Sequence, residues 1–131
     1  MGNRAVIKFG GTSQGIYLHW NGGQESVKAF LDCAKRYQLR GNDSPYGRAR
    51  LCQIIGNFFG GTLSLGVDDV KFLDCDNYDN GMYVIDDDFQ IIKREYITDD
   101  RPFNEAYYKE VFEECCKKND TIFNYMEGVQ S

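Results

Sequence analysis

With 131 residues, of which 42% are hydrophobic, 15% aromatic and 27% charged, the chain has the size and composition of one globular domain able to bury a core without staples. Its formal net charge of −5 opposes wrapping a polyanion, because duplex binding needs clustered Lys and Arg to displace counterions. A small phosphorylated ligand, held by backbone N–H groups and one or two arginines, stays compatible with that charge.

The chain opens with two β-prone runs, Ala5 to Phe9 and Gly15 to Trp20, joined by Gly10-Gly11-Thr12-Ser13-Gln14, which predicts a hairpin. Asn21-Gly22-Gly23 breaks the second strand. Gln24 and Glu25 then open a helix whose Val27, Phe30, Leu31 and Ala34 keep helical spacing, with Lys35, Arg36 and Arg40 loading its end and Gly41 stopping it. Ser44-Pro45 is a second helix start, Ser as N-cap and Pro at N1. That helix carries Leu51, Cys52, Ile54, Ile55, Phe58 and Phe59 on a wide apolar face and ends at Gly60.

A short strand is expected over Thr62 to Val67, followed by an acidic, exposed loop from Asp68 to Gly81. Met82 to Ile85 and Phe89 to Glu95 flank the turn Asp86-Asp87-Asp88 as a second hairpin. Past Pro102 a third helix carries Tyr108, Val111, Phe112 and Cys115 on one stripe. The order β-β-α-α-β-β-α departs from the alternation of a doubly wound parallel sheet, so the expected class is α+β with an antiparallel sheet. Residues 1–119 are read as a single domain. Residues 120–131, with Ile122, Phe123, Tyr125 and Met126, are read as a tail too aromatic for a disordered end and suited to a subunit interface or the core.

Cysteine usage sets the compartment. Cys33, Cys52, Cys75, Cys115 and Cys116 are odd in number and three of them fall on apolar helix positions, the pattern of free thiols in a reducing cytoplasm. There is no CxxC pair, and His19 is the only histidine, so neither a zinc site nor any other metal is expected. Nor is calcium: in the loop from Asp74 to Gly81, Tyr78 stands where the fifth-position ligand should be and Ile85 at the twelfth. The segment from Met1 to Val6 lacks a signal peptide's apolar stretch, and no window is long enough to span a bilayer, so no membrane contact is expected. A single histidine, with no GxSxG, GxxxxGK[ST] or GxGxxG, points away from an enzyme and needs no cofactor.

Three features invite a ligand, and each has a plainer reading. Asn21-Gly22-Gly23 lies between strand and helix, where two glycines admit a close approach and a helix N-terminus offers N–H donors; it is also what a tight structural turn requires. Trp20, beside His19, suits a purine-stacking platform or a core anchor equally well. Arg48 and Arg50, early in the second helix, suit a pyrophosphate clamp, Arg50 the better of the two, or an ordinary solvated surface.

The segments Gly15-Ile16-Tyr17-Leu18-His19-Trp20-Asn21-Gly22-Gly23, Tyr46-Gly47-Arg48-Ala49-Arg50-Leu51-Cys52-Gln53-Ile54-Ile55-Gly56-Asn57-Phe58-Phe59-Gly60-Gly61 and Asp76-Asn77-Tyr78-Asp79-Asn80-Gly81 resemble a family of small phage and prophage proteins of Firmicutes, over about residues 1–95. That family is similar to the anti-Thoeris sponges. The resemblance implies a compact, oligomeric, non-catalytic binder in the host bacterial cytoplasm. Such a protein sequesters glycocyclic ADP-ribose, the signal made by bacterial TIR-domain defence enzymes, and in some members cyclic oligonucleotides. It implies a stacking surface for adenine, donors for a pyrophosphate and polar groups for two riboses. Trp20, Asn21, Gly22, Gly23, Arg50, Asn57, Phe58, Asn80 and Arg101 are the residues expected to supply them. Two other readings stand beside it: an anti-defence protein whose acidic loops bind and block a host protein, and a hydrolase of a similar nucleotide.

Overall fold

A computed structural model describes residues 3–37, 44–60, 64–97 and 101–130. The elements, in chain order, are β1 (Ala5–Phe9), β2 (Gln14–Leu18), α1 (Gln24–Arg36), α2 (Ser44–Phe59), β3 (Leu65–Asp69), a single 3-10 turn at Val70–Phe72, β4 (Met82–Ile85), β5 (Ile91–Glu95) and α3 (Glu105–Gln130). The α+β class and the predicted element order hold.

The sheet differs from expectation in one respect. Its strand order is β3-β2-β1-β4-β5, and every neighbouring pair is antiparallel except β1 and β4, which run parallel with Val6 opposite Met82 and Phe9 opposite Ile85. The sheet is therefore mixed. Two hairpins predicted from local turn signals leave open how they join, and they join side by side through their two most apolar strands. β1 and β4 are consequently central and covered on both faces.

Alternation along the strands divides the interior in two. Ala5, Ile7, Phe9, Ile16, Leu18, Tyr83 and Ile85 point to the face where α1, α2 and α3 pack, meeting Val27, Phe30, Leu31, Leu51, Ile54, Ile55, Phe58, Val111 and Cys115. The opposite face carries a smaller cluster, Val6, Met82 and Val84, roofed by Tyr17, Val70, Leu73 and Cys75. Gly15 makes room for that roof: a Cβ there would stand 2.8 Å from Val70 Cγ1. The chain after β3 is thus a packed layer and not the wholly exposed acidic loop expected. Its pin is Asn77, fully buried, which donates to the Asp74 and Gly81 carbonyls at 2.9 and 3.2 Å and accepts from the Asp79 and Gly81 amides at 3.1 and 3.0 Å.

α1 starts at Gln24 as expected but stops at Arg36, with Tyr37 as its C-cap, ahead of the expected stop at Gly41, and Ser44, expected as an N-cap, is itself the first residue of α2. α1 buries Val27, Phe30, Leu31 and Ala34, and puts Lys35 and Arg36 in its last turn; Arg40 and Gly41 lie outside the described residues. α2 begins at Ser44-Pro45 and ends before Gly60, which takes φ 67°. Residues 62 and 63 of the strand expected at 62–67 also lie outside the described residues, and β3 extends two residues further, to Asp69. β5 begins at Ile91, not Phe89, because Phe89 takes φ 60° in the turn and buries its ring. α3 runs on through residues 120–130 to Gln130, and Phe123 meets the Tyr37 ring edge-on at 4.9 Å.

Candidate functional site

One end of the sheet gathers most of the polar side chains that the strands and helices bury. The N-terminal ends of β1 and β4, the C-terminal ends of β2 and β5 and the start of α1 all converge there. Asn3 brackets the β2–α1 turn, donating from its amide to the His19 carbonyl at 3.0 Å and accepting at its own carbonyl from the Gly22 amide at 2.8 Å. Asn80, 8% exposed, donates through Nδ2 to the Arg4 carbonyl at 3.0 Å and to the Asn3 side chain.

Tyr83 stands at the centre. Its hydroxyl donates to the Gly22 carbonyl at 2.7 Å, and the Arg94 guanidinium lies 3.9 Å from the centre of its ring. Arg94 Nη2 donates to the Asn80 carbonyl at 2.8 Å, while Nε is buried with no hydrogen-bond partner. The cation's position over the phenol is favoured by the negative quadrupole of the ring face. Burial keeps the Tyr83 hydroxyl protonated to higher pH than usual, against the nearby charge of Arg94. Glu25, 8% exposed, accepts from the Asn104 amide at 3.4 Å, and Gln24 Nε2 donates to the Arg101 carbonyl at 2.9 Å, which ties the approach to α3 onto the first turn of α1.

Trp20 belongs to the rim of this assembly. β2 ends at Leu18, so the alternation that would have turned the indole toward one sheet face no longer applies; Trp20 is 43% exposed and contacts His19 edge-on at 4.9 Å. His19 Nδ1 is 3.0 Å from the Tyr17 hydroxyl, which ties to the sheet the imidazole that meets the indole. Asn21 takes φ 55°, a conformation Asn tolerates, and donates to Ser26 Oγ at 3.3 Å. Gly23 is the N-cap of α1 and provides no side-chain cap.

Six of the nine expected residues, Trp20, Asn21, Gly22, Gly23, Asn80 and Arg101, therefore meet at one end of the molecule. Gly22 is buried, however, and its close approach is to its own chain: a Cβ would stand 2.6 Å from the Asn3 carbonyl oxygen and 2.7 Å from Ala5 Cβ. The other three lie on α2. Phe58 is 7% exposed, its ring 5.0 Å from that of Phe30 and 4.9 Å from Lys118 Nζ, so it serves the core. Asn57 donates to Asn119 Oδ1 at 2.9 Å, and Arg50 is exposed on the helix surface. Arg48, ranked below Arg50 from the sequence, lies half-buried with its guanidinium 5.3 Å from the centre of the Phe9 ring.

Sequence reasoning missed Tyr83, Arg94 and Glu25. An arginine in a strand otherwise rich in β formers was the available signal, but its face depends on a bulge: Tyr83 pairs with Arg94, yet Ile85 pairs with Ile91, which leaves Ile92 as the extra residue. Among the described residues no group of three or more His, Cys, Asp or Glu side chains could hold a metal ion, and no helix is long and apolar enough to cross a membrane. No family model, curated protein or solved structure matches this chain.

Proposed function

We propose that the protein is a non-catalytic binder that captures a small cyclic nucleotide signal of the glycocyclic ADP-ribose or cyclic oligonucleotide class and withholds it from a defence effector, as an oligomer in the host bacterial cytoplasm. The observation that carries this reading is Trp20. It is the chain's single tryptophan, almost half exposed, placed between a strand end and the uncapped first turn of α1, with Arg101 anchored to that turn through its backbone. A base stacked on the indole would bring its phosphates toward the α1 amides and the Arg101 guanidinium. Tyr83, Arg94 and Asn80 hold that rim in place, and a preformed rim lowers the ordering cost of binding.

Trp20 also supplies the test, because intrinsic tryptophan fluorescence then reports one site. Titration with glycocyclic ADP-ribose, then with cyclic di- and trinucleotides, is expected to quench it saturably, and ligand recovered after denaturation is expected unchanged. Trp20→Ala is expected to weaken binding by about 1–3 kcal/mol, a factor of roughly 5 to 150, with unfolding little altered. Unaltered fluorescence and no calorimetric heat across the panel would remove the reading, and altered ligand would make the protein a hydrolase.

A second reading, a blocker of a host protein, is favoured by one observation. Phe72 and Tyr78 are 69% and 78% exposed, and Asp74 and Asp76 lie exposed between them, a composition suited to docking on a basic protein surface. Phe72→Ser with Tyr78→Ser leaves nucleotide binding intact on the first reading and abolishes anti-defence activity on the second.

A further inference from the structure

The sheet has two edge strands, β3 and β5, and they are finished differently. On β3 the Asp69 N–H is taken by the Asp68 carboxylate at 2.7 Å, and a second β3 laid alongside would crowd the carboxylates of both chains along one short edge. On β5 the backbone stays open. The Val6 N–H donates to the Gly81 carbonyl at 3.0 Å and the Gly10 N–H to the Ile85 carbonyl at 2.7 Å, so Gly81, Tyr83 and Ile85 turn their backbone groups toward β1. Met82 and Val84 then face β5, where they pair with Glu95 and Lys93 through hydrogen bonds. The N–H and C=O of Arg94, between those two, point off the edge.

The side chains along this edge complement themselves. Lys93 and Glu95 project from the sheet face of Val84 and Met82 and form an ion pair at 2.9 Å, their side chains 63% and 37% exposed. Arg94 would set one cation against another across a symmetric contact. Its guanidinium, however, is drawn back over the Tyr83 ring of β4 at 3.9 Å and donates to the Asn80 carbonyl, so the charge stands inward of the edge.

We propose that β5 is an interface between two copies of this chain, in which two β5 strands run antiparallel about a two-fold axis at Arg94 and join the two sheets into one. The Arg94 residues exchange both backbone hydrogen bonds, and Lys93 of each copy stands opposite Glu95 of the other. Charge on an edge strand ordinarily discourages pairing; here the signs alternate about the axis, and the symmetric register neutralises them. Ile92 of each copy comes to lie toward Tyr96 of the other, and both are more than half exposed in the single chain. The bulge at Ile92 and the left-handed Tyr96, φ 59°, confine the regular pairing to residues 93–95. So short a contact falls below the roughly 1,200 Å² of standard interfaces, which makes the dimer weak and concentration-dependent. It requires no nucleotide and stands apart from the ligand reading.

The test is sedimentation equilibrium of the ligand-free, full-length protein from about 10 μM to about 1 mM, where a monomer–dimer equilibrium is expected. Lys93→Glu alone and Glu95→Lys alone set like charges opposite each other and are expected to weaken association roughly tenfold or more, while the two together restore it, with circular dichroism unchanged throughout. Carbodiimide cross-linking of mixed isotope-labelled and unlabelled wild-type chains is expected to give heavy–light peptides joined from Lys93 to Glu95, which locates the contact without any variant. A monomer at every concentration, a dimer indifferent to the single reversals or not restored by the double exchange, links only elsewhere, or open-ended growth from β3 meeting β5 would each overturn the proposal.

Discussion

Two glycines show how much a single side chain decides. Gly22 adopts no unusual φ, yet it faces the Asn3 carbonyl, Arg4 and Ala5 at 2.6–2.8 Å from where a Cβ would be, and its amide donates to that same Asn3 carbonyl. Gly22→Ala must therefore push β1 away from the β2–α1 turn, with a loss of about 1–3 kcal/mol from overpacking. Gly11 is the contrast. It has φ 77° but open space around it, so Gly11→Ala is expected to cost only the left-handed strain, about 1 kcal/mol. Urea unfolding of the two variants measures the difference, and equal losses would contradict the packing argument. Trp20 belongs to the same scale: from the sequence its stacking and core readings were balanced, and the end of β2 at Leu18 leaves its indole part exposed.

Among the elements, α3 acts as the clamp over α1 and α2. Asn119, fully buried, donates to the Ile54 and Cys115 carbonyls at 3.2 and 2.9 Å and accepts from Asn57 at 2.9 Å. Asn57→Ala leaves that acceptor unpaired and is expected to cost about 1–2 kcal/mol of stability while leaving nucleotide affinity unchanged. A large affinity loss at normal stability would instead return Asn57 to the ligand site. The far end of α3 matters through Phe123 on Tyr37, whose hydroxyl also donates to Asp120. Phe123→Ala is expected to lower stability by about 1–2 kcal/mol, read as an earlier unfolding midpoint; no change would show that the helix beyond Asn119 adds nothing to the fold.

At the scale of the whole molecule, acid stability rests on carboxylates held by cations. Burial pushes both Asp32 and Asp79 upward, but the Lys28 and Tyr108 hydrogen bonds at Asp32 and those from Arg4 at Asp79 outweigh it, so both lie below the usual range. A depressed folded pKa stabilises above the unfolded value of about 4, and that contribution is lost as pH falls through the folded one. The urea midpoint is therefore expected to hold from pH ~7 to ~5 and decline toward pH ~3, with a shallower decline in Asp79→Asn. An equal decline in that variant would place the acid sensitivity elsewhere.

Local pattern alone determined the helices and both hairpins, because helix caps, turn residues and apolar spacing act between residues near in the chain, as Ser44-Pro45 and the Val27, Phe30, Leu31, Ala34 stripe show. It also placed a polar turn at Asn21-Gly22-Gly23. What only the tertiary structure decided is contact between residues far apart: β1 beside β4 in parallel, Arg94 turned onto Tyr83 by a bulge, and Asn57 bonded to Asn119. Those pairings depend on register and packing across the core, which adjacency along the chain does not encode.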